Sequence, residues 1–540
     1  MGKPRPLASD QQSILSFYPY SIGHAQDGIS LLMRLGPYRI LLDCGLNDIA
    51  PLQTEGMAPA DVVFCSHAHA DHARGLLDLH QSFPKLPIYT SEVTAQLLPL
   101  NWPNESLDAD FYHPLAWRSP IQLFENLTAE LLPAGHLPGA AMVLLTYTLP
   151  KRTYKVLYTG DFSLSNLQLV EGLSIETLRG LAPDVLIIES SYGTRRHPHR
   201  RQQEKQLMQQ IDEALQRGQS VLLPVPILGV GQEILKLLRS HHQFTGRDLD
   251  IWVTGRLVET CDRYEQLIPQ LPLAVQNFAK HQPLFWDERV CPRLRSFDLK
   301  ALPSFAEKPC VVLTDNLSTF FAAFPEDRPW RVLVSEDDSD RFAVDFPQKE
   351  QIQVESYLLA DHSDVRNTTQ LIHNLRPQHV IFVHGSSTDI QDLTGLVELQ
   401  NRYQLHSPAS GNLVELPIGE QFIQPTPPVP SLYEGEVSEI ESAIAITLDT
   451  VITQDSRWYQ FADTGIVEAR WQGEELVLRG ISQRELRTQA QEEKRLEDLD
   501  CCSRCLHYRH QRCWNPLSPL AGFRVTPEGY CPVFESLPEE

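Results

Sequence analysis

The chain has 540 residues, 42% hydrophobic and 21% charged, a globular composition with room for two or three domains. Forty-six basic against 69 acidic side chains leave a net charge of -23, which excludes a protein that coats nucleic acid nonspecifically but leaves room for a local basic groove. The opening MGKPRPLASDQQS has no apolar leader, and the longest apolar run, VLLPVPILGVG at 221–231, is too short and too broken by Pro and Gly to span a bilayer. A soluble, cytoplasmic protein is expected, with its ten cysteines serving as thiols or metal ligands rather than as a disulfide framework.

In chain order, RILLDCG, DVVFCSH, LPIYTS, YKVLYTGDF and DVLIIESS are short runs bounded by Gly, Pro and Asp that read as buried strands. ARGLLDLHQSF between them has helical spacing. EKQLMQQIDEALQRG then reads as a helix closed by Gly218, SVLLPVPI as a strand and GQEILKLLRSH as a second helix. DLDIWVTG and KPCVVLTDN continue the pattern to about residue 350. QIQVESYLLADHSD, TTQLIHNLRPQ and HVIFVHG return to strand, helix, strand. This alternation predicts an α/β protein. After Leu416 the stretch IQPTPPVPSLYEGEVSE is proline-rich and acidic, the composition of a linker. Cys44, Cys65, Cys261, Cys291 and Cys310 lie scattered, mostly beside apolar residues, and are expected as core thiols. The other five cysteines crowd between Cys501 and Cys531.

The strand DVVFC runs into SHAHADH, which places His67, His69, Asp71 and His72 within six positions. Imidazole with carboxylate is the donor mixture that a borderline cation such as zinc accepts, and a rigid strand end can present it. Further ligand types stand at other strand-to-loop junctions: Asp43 in LLDCG, His136 in AGHLPG, Asp161 in YTGDF and His384 in IFVHG. Five such junctions point to a shared metal site rather than to separate satisfied side chains.

In the order and neighbours of these motifs, residues 14–417 resemble the metallo-β-lactamase fold and, within it, the β-CASP nucleases, including the endonuclease subunit of the cleavage and polyadenylation specificity factor and its bacterial and archaeal relatives. The resemblance implies an αββα sandwich (residues 1–195 and 356–420) with an inserted β-CASP α/β domain (196–355). A linker (421–435) and an acidic C-terminal region ending in a small Cys-rich domain (436–540) would follow. It implies two zinc ions, the first on His67, His69 and His136, the second on Asp71, His72 and His384, with Asp161 bridging. Asp43 would orient ligand histidines rather than bind metal.

The same resemblance assigns Glu189 in LIIESSYG and His362 in ADHSD to the catalytic set, with His362 as general acid and Glu189 holding and charging its imidazole. A histidine at the position of His384 is the pattern of RNA-directed members, so single-stranded RNA is the expected partner. The reaction implied is phosphodiester hydrolysis by a hydroxide that two metals activate, leaving 5′-phosphate and 3′-hydroxyl ends. Two departures touch the substrate cleft: Val230 stands where the family has arginine, and Thr314-Asp315-Asn316-Leu317-Ser318 replaces a glycine-rich turn. The run RRHPHRR, with Arg195, Arg196, Arg200 and Arg201, reads either as a phosphate-tracking patch or as a solvated loop. A DNA nuclease, another metallohydrolase of this fold, or an inactive RNA-binding scaffold are the alternatives.

The C-terminal cysteines fall outside the resemblance. DCCSRCLHYRHQRCWNP and EGYCPVFE supply Cys502, Cys505, Cys513 and Cys531, enough for a tetrahedral zinc or an iron-sulfur cluster, with Cys501, His507 and His510 as spares. This module could dock RNA or a protein partner.

Overall fold

The computed structural model describes residues 14–23, 27–53, 57–108, 110–297, 308–323, 329–336 and 352–419. Beyond these it describes the strand pairs at 437–446 and 467–480 and, in the last segment, 502, 505–518, 521, 522, 525, 527 and 534–536. The chain divides into two compact units, Met1–Pro427 and Pro428–Glu540. Among the described residues no helix is long and apolar enough to cross a membrane.

Within the first unit an antiparallel hairpin starts the core. Leu15–Ile22 and Ile29–Leu35 pair so that Leu15, Phe17, Leu31, Met33 and Leu35 are buried, with polar or half-covered residues alternating between them. Tyr38–Leu42, Val62–Phe64, Ile88–Ser91 and His113–Leu115 extend this sheet to one side and Val414–Glu415 closes the other, giving seven strands. Tyr38–Leu42 and Val62–Phe64 run parallel, with Leu42 opposite Phe64, so the residues that follow both strands emerge at one edge. That shared exit brings Asp43 to the HAHADH loop.

A second seven-stranded sheet runs Gln404–His406, His379–Val383, Val185–Glu189, Thr153–Tyr158, Ala141–Thr148, Leu127–Pro133, Ile121–Phe124. The first four strands in that order are parallel, with Tyr158 opposite Ile187 and Glu189 opposite Val383. Their C-terminal ends therefore deliver Asp161, Glu189 and His384 to a single edge. VLIIE and HVIFV are buried throughout, as expected of parallel strands covered on both faces. Residues of both sheets belong to one continuous hydrophobic core.

The third sheet has six strands, all parallel, ordered Arg293–Ser296, Asp250–Thr254, Val311–Thr314, Ser220–Pro224, Trp330–Ser335, Ile352–Tyr357. It is drawn wholly from 220–357, between the two segments that build the first sheets. Helix Arg200–Gln216 leads into it and buries Gln203, Leu207, Met208, Ile211, Ala214 and Leu215 on one stripe. Its last strand returns the chain to the metal edge, which places His362 there. Cys44, Cys65, Cys261 and Cys310 are buried as expected, and Cys291 is half-buried. The expected linker at 421–435 and the expected ligands Cys501 and Cys531 lie outside the described residues.

Candidate metal centre and active site

His67 and His69 leave Val62–Phe64 in extended conformation, and the short helix Ala70–Ala73 turns Asp71 and His72 back onto the same side. Three imidazoles converge: His67 Nε2 and His136 Nε2 each lie 3.1 Å from His69 Nδ1. Asp161 faces them all, with Oδ2 3.4 Å from His67 Nε2, 3.8 Å from His136 Nε2 and 3.2 Å from His72 Nε2. Asp71 Oδ2 sits 3.1 Å from His384 Nε2 and 3.9 Å from His72 Nε2, while His384 Nδ1 is 3.9 Å from Asp161 Oδ1. Two ligand groups result, His67–His69–His136–Asp161 and Asp71–His72–His384, with Asp161 between them, and His136, Asp361 and His362 form a third cluster of ligand type beside them.

These groups fit metal ions on their own chemistry. Buried atoms with no hydrogen-bond partner are rare in proteins, yet His72 Nε2 and Asp161 Oδ1 are both of this kind. Burial first, then neighbouring imidazoles, push the pKa of His67, His69 and His136 down, that of His69 to about 4. They are held neutral, the form that coordinates a cation. For His72 burial also opposes charge, but Asp161, Asp43 and Asp71 outweigh it and raise the pKa. Asp161 and Asp71 are held well below the usual carboxylate range: burial opposes their charge, but His384 and His72 overcome it. The excess of carboxylate facing His72 and His384 is what a cation would neutralise.

Around this set lies a shell that fixes each ring. Asp43 is fully buried and accepts four hydrogen bonds, from Ser66 N (2.6 Å), Ser66 Oγ (2.7 Å), Tyr158 Oη (2.6 Å) and His72 Nδ1 (2.8 Å). The last of these leaves His72 Nε2 as the ligating atom. The backbone carbonyl of Asp361 accepts from His136 Nδ1 at 3.0 Å. Ser191 Oγ donates to Glu189 Oε2 at 2.7 Å and lies 2.9 Å from His384 Nδ1. Ser66, Tyr158, Asp361 and Ser191 were not singled out from the sequence. Ser66 alone carried a signal, since it sits between a strand end and His67.

His362 occupies different surroundings. Its Nδ1 is 3.2 Å from Glu189 Oε1, and its ring lies 4.6 Å from that of His136. Burial opposes its charge, but Glu189 and Asp361 outweigh that and raise its pKa well above the ordinary value. Arg200 Nη1 donates to Ala360 O at 2.6 Å and Gln203 Oε1 accepts from Ala360 N at 2.7 Å, clamping the chain two residues before His362.

That clamp corrects one sequence expectation. Arg195, Arg196 and Arg201 are exposed, but Arg200 is only 4% exposed and pairs with Glu204 (3.3 Å) and Glu233 (3.6 Å), so it cannot meet a phosphate in solvent. Helical periodicity puts it on the buried stripe of Arg200–Gln216. Arg195 donates to Ser191 O at 2.9 Å and packs over the Tyr192 ring. Val230, in the arginine position, is buried beside Gly229, whose positive φ of 95° opens helix Val230–Ser240. A Cβ on Gly229 would lie 3.6 Å from His69 Nε2, so this turn borders the metal centre. In the other departing turn Asn316 Oδ1 accepts from Thr319 N at 3.0 Å, starting the helix Leu317–Ala323.

The fold and the site are those of a metallo-β-lactamase superfamily domain. A family described as "Beta-lactamase superfamily domain" matches residues 38–221. An uncharacterized protein of Synechocystis sp. is 54% identical over 539 residues, 97% of each chain. More distant relatives carry RNase-type and Integrator-subunit names. An "RNase J-like protein" of Methanocaldococcus jannaschii is 29% identical over 299 residues, covering 52% of this chain and 66% of the relative. "Integrator complex subunit 11" of Danio rerio is 23% identical over 453 residues, covering 73% of each.

Proposed function

We propose that the protein is a zinc-dependent ribonuclease that hydrolyses RNA phosphodiester bonds. The carrying observation is the convergence of six imidazole and carboxylate groups about Asp161, with His362 paired to Glu189 beside them. His67, His69 and His136 would hold one ion and Asp71, His72 and His384 a second, with Asp161 touching both. Bound there, such a pair supplies a lowered pKa for water and charge neutralisation for the phosphate.

The chain's own groups divide the remaining work. His362 is the proton donor to the leaving oxygen: Glu189 engages Nδ1 and favours the charged ring, so Nε2 carries the proton to be given. Asp43, itself held by Ser66 and Tyr158, fixes His72 directly. Asp361 O fixes His136, and Ser191 couples Glu189 to His384. Exposed Arg195, Arg196 and Arg201 are proposed to follow the RNA backbone.

RNA is favoured over DNA by the histidine at 384, which resembles RNA-directed members, and by the RNase name of one archaeal relative. Digestion of end-labelled single-stranded RNA and DNA by metal-replete protein tests the reading. RNA should be cut and DNA spared, and Asp161→Asn should abolish cleavage. Intact RNA, or equal cutting by Asp161→Asn, overturns it.

A further inference from the structure

His362 stands on a loop between the strand Ile352–Tyr357 and the helix Val365–Leu375. A loop holds a side chain to the tolerance that catalysis needs only when its backbone is tied on several sides. Here the ties are dense. Asp361 O accepts from His136 Nδ1 at 3.0 Å, and Ser363 Oγ accepts from Leu164 N at 3.3 Å. Both polar groups of Ala360 are taken by one helix: Arg200 Nη1 donates to Ala360 O at 2.6 Å, and Ala360 N donates to Gln203 Oε1 at 2.7 Å.

Arg200 opens the helix Arg200–Gln216 and Gln203 follows one turn on, so both side chains share the face that meets Ala360. They are 4% and 3% exposed. The guanidinium also meets Glu204 at 3.3 Å and Glu233 at 3.6 Å. Glu233 in turn accepts from the backbone of Gln168 and Leu169, in the segment that follows Asp161. A buried ion pair adds little net stability over well-packed apolar groups. What it fixes is geometry: a planar fork with five donors spans two carboxylates and a carbonyl at once. One lattice thereby ties the segment after Asp161 to the loop of His362.

We propose that Arg200 and Gln203 are positioning residues for proton delivery. They hold Ala360 by its carbonyl and its N–H, and so fix where His362 Nε2 meets the leaving oxygen. As the bond from phosphorus to the 3′-oxygen breaks, its electron pair stays on oxygen and the His362 proton completes the 3′-hydroxyl. The inference rests on His362 as proton donor, and its test separates the two.

Metal-loaded full-length protein carries the test. Arg200→Lys keeps the charge that Glu204 and Glu233 face but lacks the fork that reaches Ala360 as well. Gln203→Met removes the acceptor for Ala360 N without changing charge. Both variants should retain the parent's metal content and cut single-stranded RNA with KM held and kcat lowered by about 10²-fold, the effect of a small misplacement. Hydrolysis of uridine 5′-(p-nitrophenyl phosphate) should fall far less, because nitrophenolate leaves without a proton. In a His362→Ala background neither substitution should slow RNA cleavage further. Equal slowing of both substrates, or losses that multiply with His362→Ala, is what a merely structural role gives and overturns the proposal. If His362→Ala itself slows both substrates alike, the proton-donor reading fails and the positioning role falls with it. Amide hydrogen exchange reads the clamp apart from activity: exchange across 358–364 should quicken in both variants, and unchanged exchange overturns the proposal even where no RNA is cut. Should Arg200→Lys not fold, Gln203→Met alone decides by the same comparisons.

Discussion

Asp43→Asn isolates the role given to the aspartate behind His72. Asp43 has a positive φ of 60°, a conformation that asparagine adopts readily, so the substitution leaves the backbone unstrained. The carboxylate accepts from Ser66 N through Oδ1 and from Ser66 Oγ, Tyr158 Oη and His72 Nδ1 through Oδ2. A carboxamide replaces one of those oxygens with a donor. In its better orientation its oxygen serves the three groups on the Oδ2 side and its NH2 opposes Ser66 N. Two buried donors, Ser66 N–H and the new NH2, are left without an acceptor, a loss of about 1–3 kcal/mol of stability for each. His72 also loses the charge that orients it, and removal of such a partner weakens metal binding by roughly 10- to 100-fold. Chelator competition on the full-length protein reads the affinity, and thermal unfolding of the metal-free form reads the stability. Unchanged affinity would refute the positioning role. Outright loss of an ion would make Asp43 a ligand.

His362→Ala should keep both catalytic ions by metal analysis yet slow RNA cleavage by about 10²- to 10⁴-fold, the worth of a placed general acid; His384→Ala should instead lose or weaken one ion, and a metal-stripped His362→Ala would reverse the division. Glu189→Gln removes the charge that raises the His362 pKa, so the acid loses its proton at lower pH and the alkaline fall in cleavage rate should move to lower pH. An unmoved limb would contradict the pairing. Burial pushes the Glu233 carboxyl up from 4.5 to about 7 despite Arg200 and the backbone of Gln168 and Leu169. Between those two pH values the folded chain holds a proton that the unfolded chain has released, so stability from this group falls as pH rises. Glu233→Gln should flatten that slope in melting temperature against pH, and parallel slopes would refute the shift.

The metal ligands were legible because their signal is local. HAHADH is contiguous, and Asp161 and His384 stand close after strands that read from the sequence, while His136 was marked by its own motif rather than by the strand Leu127–Pro133 before it. The orienting groups were not, because their partners are distant in sequence: Tyr158 reaches Asp43 across 115 residues and Ser191 reaches His384 across 193. Arg200 shows a signal present but outweighed. The run RRHPHRR looks solvated, yet Arg200, Gln203, Leu207 and Ile211 share the buried stripe of one helix. The opening hairpin was hidden differently, since Tyr18, Tyr20 and Pro19 interrupt an alternation that only the burial pattern of Leu15–Ile22 makes plain.

The central claim is that the clustered histidines and aspartates serve water-driven hydrolysis of RNA. Single-turnover cleavage of a defined single-stranded RNA in oxygen-18 water, with metal-replete protein and mass analysis of the new ends, tests it most directly. The account predicts one labelled oxygen on a 5′-phosphate opposite an unlabelled 3′-hydroxyl, and no product after chelation. A 2′,3′-cyclic phosphate, an unlabelled 5′ end, or cleavage that persists in chelator would contradict it.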